Sequence, residues 1–90
     1  MLRVWGLIRK NNKIVKDMIA EYLGNDIKEI DALHKCIEEI CYEFDLQRPL
    51  WFPKNQREYE EYRRIVLTQD NFMEPIDFDT FELEILDNDD

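Results

Sequence analysis

Glycine and proline are scarce in this chain, two and three among 90 residues, while eleven side chains are aromatic (two Trp, four Tyr, five Phe). That balance excludes a collagen-like or disordered chain, because so many rings supply the apolar area that offsets the entropy of ordering. No apolar run approaches the roughly 18 residues of a membrane-spanning helix, and the opening MLRVWGLIRK is too short and too broken by charge for a secretory leader. Two cysteines without an export signal read as reduced thiols, and the expected location is cytoplasmic, with no membrane partner. Basic residues are missing altogether from Ile65 to Asp90, where nine acidic residues fall. With 12 Lys and Arg against 21 Asp and Glu in the whole chain, the first 64 residues are neutral and the net charge of −9 sits entirely in the last 26. Such a distribution argues against direct nucleic-acid binding, which needs clustered Lys and Arg.

What is present begins with a hairpin. In LRVWGLIRKNNKIVKDMIAEY, Asn11 and Asn12 suit a two-residue turn, since Asn tolerates the positive φ that such turns require. Lys10 then faces Lys13, and the pairing continues Ile8 with Val15, Gly6 with Asp17, Val4 with Ile19 and Leu2 with Glu21. One face collects Leu2, Val4, Ile8, Val15 and Ile19 and is assigned to the core. The opposite face keeps Trp5, Leu7, Ile14 and Met18, framed by Arg3, Arg9 and Lys16.

After the hairpin the hydrophobic period changes. Ile30, Leu33, Ile37, Ile40 and Phe44 fall within about 80° of one another on a helical wheel, which predicts an amphipathic helix over 31–44, with Asp26 and Glu29, or Asp31, as its cap. Pro49 and Pro53 make 46–55 extended, and Asn55 with Glu58 opens a second helix over about 56–66. FELEIL near the C-terminus alternates strictly and predicts a strand. A lone hairpin is marginal, and this acidic strand is the one candidate to extend it. Glu82 and Glu84 would then meet the basic outer face of the hairpin. The expected fold is one α+β domain over 1–90, in the order ββααβ. It has a three-stranded antiparallel sheet with the first strand central, and two helices on one face.

Chemistry-bearing residues are few. Cys36 and Cys41 lie about 140° apart on one helix and so cannot bridge each other or close on one ion, and His34 is separated from both. They read as small thiols at the edge of the core and a boundary histidine. Glu74, Asp77, Asp79, Glu82 and Glu84 form an acidic run that lacks the Gly and the third Asp or Asn of a calcium loop. No catalytic, metal or cofactor residues are assigned. Trp51 and Phe52 read as a plug beneath the first helix, since burying a Trp is worth about 2–3 kcal/mol to a small domain.

The order DL, PLWFPKN, EPIDFD and FELEI, with Asp45, Pro49, Trp51, Asn55, Phe72 and Phe78 among its positions, resembles a family of small, functionally uncharacterised proteins of clostridia-type bacteria. The resemblance implies a shared fold and brings no activity or site residues. From the residues themselves the expectation is a noncatalytic interaction or adaptor protein. It forms a homodimer through Trp5, Leu7, Ile14 and Met18, an apolar patch too large to leave in water. The alternative is an acidic mimic of nucleic acid that inhibits a DNA-binding enzyme. It draws on the small size and the negative charge.

Overall fold

The computed structural model describes residues 1–86. The acidic stretch 87–90, expected to be solvated, lies outside them. Two strands come first, β1 (Leu2–Lys10) and β2 (Lys13–Tyr22), followed by helices α1 (Glu29–Phe44) and α2 (Pro53–Tyr62). A short strand β3 (Arg64–Leu67), a 3₁₀ turn (Gln69–Asn71) and β4 (Thr80–Ile85) complete the chain. All strand pairs are antiparallel and the sheet runs β2-β1-β4-β3. The fold is α+β, and the C-terminal strand takes its expected place beside β1. The sheet has four strands rather than three, however, and the order is ββααββ.

The extra strand comes from residues expected to end the second helix. Arg63 adopts a left-handed conformation (φ 56°) and stops α2 at Tyr62. Ile65 and Leu67 then alternate inward opposite Leu83 and Phe81 of β4, and Val66 faces outward. At its other end α2 starts earlier than expected. Pro53 occupies the first helical position, where its missing N–H costs nothing, and the Asn55 side chain accepts the backbone N–H of Phe52 at 2.9 Å.

The hairpin turn forms as its two asparagines suggest, with φ of 54° and 66° at Asn11 and Asn12. The Asn11 N–H donates to the Asp79 carboxylate at 2.9 Å, and the Asp79 N–H donates to the Arg9 carbonyl at 2.9 Å, so the turn is tied to the residue before β4. Beyond Arg9–Ile14 the register slips by one residue. Ile8 pairs with Lys16, Gly6 with Met18, Trp5 with Ile19 and Val4 with Ala20, leaving Val15 as the extra residue of a bulge. This corrects the simple pairing, and it has a cause. Without the bulge Asp17 would point into the core opposite Gly6, an unpaired carboxylate in an apolar layer. With it, Asp17 turns outward and accepts the indole N–H of Trp5 at 2.8 Å. Met18 consequently packs against the core and Ile19 faces out.

Helix α1 lies over β1 and β2, α2 lies against β3, and both share one buried cluster with the inward residues of all four strands. Gly6 permits the close approach of α1, since a Cβ there would lie 2.8 Å from Cδ1 of Ile40. The expected side-chain cap of α1 is absent: Lys28 precedes the helix, and Asp26 instead accepts the Tyr22 hydroxyl at 2.7 Å. Polar links join the two helices and the loops. Tyr59 donates to Glu29 at 2.5 Å, and Arg63 clamps the same carboxylate with two bonds of 2.7 and 3.0 Å. Burial, with the bond to Glu29, pushes the Tyr59 phenol up to about 12. Asn55 and Asn71 are fully buried and bonded to each other at 2.9 Å, and Asn71 also donates to the Leu50 carbonyl at 2.8 Å. The loop before α2 is thereby fastened to the turn after β3.

Candidate interaction surface

The face of the sheet turned away from the helices is built in rows by the strand register. Ile19, Trp5, Glu84 and Arg64 stand side by side in one row, and Asp17, Leu7, Glu82 and Val66 in the next. Ile14, Arg9 and Thr80 form a third. At the centre Leu7 is only 2% exposed although no helix lies over it. The Trp5 indole reaches from its own row to Asp17, the residue directly opposite Leu7, and so crosses toward that leucine. This face thus carries a small apolar centre covered by its own side chains.

Glu82 is the electrostatic hub. It is 6% exposed, and it takes bonds from Arg9 at 3.1 Å and from Thr80 at 2.8 Å together with a short ion pair to Arg64. Burial alone would raise its carboxyl, but the bonds from Arg9, Arg64 and Thr80 outweigh that and hold it below the ordinary value. Arg3 pairs with Glu21 at 3.4 Å at the other end of the face. The acidic strand and the basic hairpin therefore do meet, through one buried carboxylate.

Of the four residues assigned to an interaction face, Trp5, Leu7 and Ile14 do lie on the outer side. Met18 does not, because the bulge turns it inward. Leu7 is on the right face but already covered. Lys16 also leaves the expected rim, since its ammonium sits 5.8 Å from the centre of the Phe44 ring on the helix side. The residues left open on this face are Ile14 at 45% and Ile19 at 47%, both on β2, while the bulge residue Val15, 52% exposed, borders a hollow on the helix side. Sequence reading missed Ile19, and the signal lay in Asp17, whose charge forbids the straight register.

The other candidates stay apart from this surface. Cys36 and Cys41 are free and buried, and burial pushes both thiols up to about 11, far from a reactive thiolate at neutral pH. His34 meets the edge of the half-buried Trp51, with ring centres 4.7 Å apart, and the Trp51 indole N–H bonds Gln56 at 2.9 Å. Burial, with the nearby Arg48, lowers the His34 imidazole. Among the described residues no three His, Cys, Asp or Glu side chains come together in a way that could hold a metal ion, and no helix is long and apolar enough to cross a membrane. No protein-family model, curated protein or solved structure matches the chain.

Proposed function

We propose that this protein is a noncatalytic interaction protein that self-associates through the β2 side of its open sheet face. One observation carries the reading: Ile14 and Ile19 stand about half exposed on the outer face of a single edge strand, Ile19 directly opposite Trp5. Apolar side chains clustered in this way lose the most water by docking. Electrostatics favours a second copy as the occupant. On the outer face Arg3, Arg9 and Arg64 nearly balance Asp17, Glu21, Glu82 and Glu84, whereas the chain as a whole carries −9. Two copies therefore repel least when they approach through this face. Arg9, Arg64 and Glu82 are already mated, so covering the face strands none of these three charges.

Sedimentation of the wild-type chain, from low to high micromolar, tests this. A dimer is expected that Ile19→Lys turns into a folded monomer, since Ile19 touches little of the core. A wild-type chain that stays monomeric throughout would overturn the reading. The nucleic-acid mimic makes a different demand, because its binding to a basic enzyme must weaken steeply with salt. Glu82 is spent inside the chain, which leaves fewer carboxylates for such mimicry.

A further inference from the structure

Two hollows meet beneath the β1–β2 turn, on the helix side of the sheet. The first, of about 470 Å³, is lined by Lys10, Val15 and Lys16 from the hairpin, by Phe44 and Asp45 from the end of α1, and by Asp77 from the loop before β4. The second, of about 410 Å³, shares Asp45, Leu46, Asp77 and Phe78 with the first and adds Glu74 but no cation. Together they form a double groove with two ammonium groups at one end and only carboxylates at the other.

The charges that line this groove are not spent within the chain, unlike those of the paired arginines. Arg3, Arg9, Arg63 and Arg64 all have carboxylate partners. Among the described residues, the side chains of Lys10, Lys16, Asp45, Glu74 and Asp77 make no ion pair or hydrogen bond, and Lys16 has only the Phe44 ring. Opposite charges that line one groove without closing on each other leave room for a ligand that bears both signs. The apolar lining from Phe44, Leu46 and Phe78 supplies the contact between them. Each hollow falls within the ordinary size of a ligand site, about 300–1,000 Å³.

The main chain narrows the choice of ligand. Strand β2 is an edge of the sheet, and its bulge residue Val15, which stands outside the ladder to β1, lines the first hollow. Such an edge offers unpaired backbone groups to an extended segment laid beside it. We infer that the double groove binds an extended peptide segment with a carboxylate side chain at one end, held by Lys10 and Lys16. Apolar side chains follow, and a cationic side chain at the other end is held by Asp45, Glu74 and Asp77. This site is separate from the outer face and does not depend on self-association.

The test is an amide NMR titration of the full chain with blocked pentapeptides: Glu-Leu-Phe-Leu-Lys, its reverse Lys-Leu-Phe-Leu-Glu, and the neutral Gln-Leu-Phe-Leu-Gln. One of the two charged peptides is expected to shift the amides of Val15, Lys16, Asp45 and Phe78 saturably, and to bind about tenfold more tightly than the neutral one. Lys10→Gln and Asp45→Asn should each weaken that binding several-fold while the melting temperature holds. Asn tolerates the left-handed backbone at 45 as well as Asp does, φ being 58° there. Absence of saturable shifts with both charged peptides at millimolar concentration, or equal binding of the neutral peptide, would overturn the inference. Free phenylalanine binding as tightly as the peptides would overturn it too, by showing a site for a small zwitterion.

Discussion

At Gly6 a Cβ would lie 2.8 Å from Cδ1 of Ile40, closer than real side chains come, and 3.0 Å from its Cγ2, tighter than nearly all such contacts. The glycine thus sets how closely α1 approaches the centre of the sheet, and its cost in strand propensity is the lesser one. Gly6→Ala should destabilise by about 1–3 kcal/mol through overpacking. Ile40→Val removes the nearest atom, so in urea unfolding the double variant should fall short of the summed single losses by at least about 0.5 kcal/mol. Strict additivity would show that the contact does not govern the approach. Glu82 acts at the same scale by charge. Its carboxyl is held below the ordinary carboxylate value, so its contribution is complete above that ordinary value and is lost as pH falls through the folded one. Glu82→Gln strands two arginines at a buried site, and since both are partly exposed the loss near neutral pH should be about 1–3 kcal/mol. Thermal unfolding measured from about pH 7 to about pH 3 should show the difference between wild type and variant shrinking at the acid end. A difference that stays constant would assign the loss to shape alone.

Between residues and fold stands the bulge in β2, where Val15 is the one residue without an opposite on β1. Deleting Val15 leaves every other pairing and facing as it is, so the chain should fold with a loss of no more than about 1–2 kcal/mol in urea unfolding. Deleting Met18 instead forces the residues on one side of the gap to change faces, and cooperative unfolding should disappear. Equal outcomes would mean that register is not set by the facing of Asp17. The same strand shows what was legible in the sequence. The Asn11–Asn12 turn, the stripe of α1 and the alternation of FELEIL were clear because each is a local pattern with one reading. The slip in β2 was not, since straight pairing gives an almost wholly aliphatic face, and only the position of Asp17 against a packed helix decides against it. Strand β3 was hidden for another reason. Four residues with two inward side chains, Ile65 and Leu67, are too few to outweigh the helical stripe of Tyr59, Tyr62 and Val66, and Arg63 is not a residue that announces a left-handed stop. Of the open surface, Trp5 and Ile14 could be read from the alternation. Ile19 and Met18 had to exchange places once the bulge was seen.

The whole molecule is closed by its two ends, because β1 and β4 lie side by side at the middle of the sheet, with Val4 opposite Ile85 and Arg9 opposite Thr80. Strand β3 has no ladder except to β4, and α2 lies against β3, so that half of the core depends on the last strand. Phe81 and Leu83 are fully buried and Ile85 is 8% exposed. At about 1.5–3 kcal/mol for each such side chain, their loss is of the same order as the whole stability of a small domain, about 5–15 kcal/mol. Truncation after Asp79 should therefore leave no cooperative unit, not even the hairpin on α1. Circular dichroism on heating should show a broad, non-sigmoidal change, with the near-ultraviolet signal of the packed aromatics gone from the start. Because Phe81 and Leu83 pair on both sides, with Ile8 and Gly6 of β1 and with Leu67 and Ile65 of β3, a synthetic peptide covering β4 should restore part of that signal in trans. A truncated chain that still melts in one sharp transition would mean that α1 and the hairpin hold a core of their own, and that the two halves of the sheet are separable.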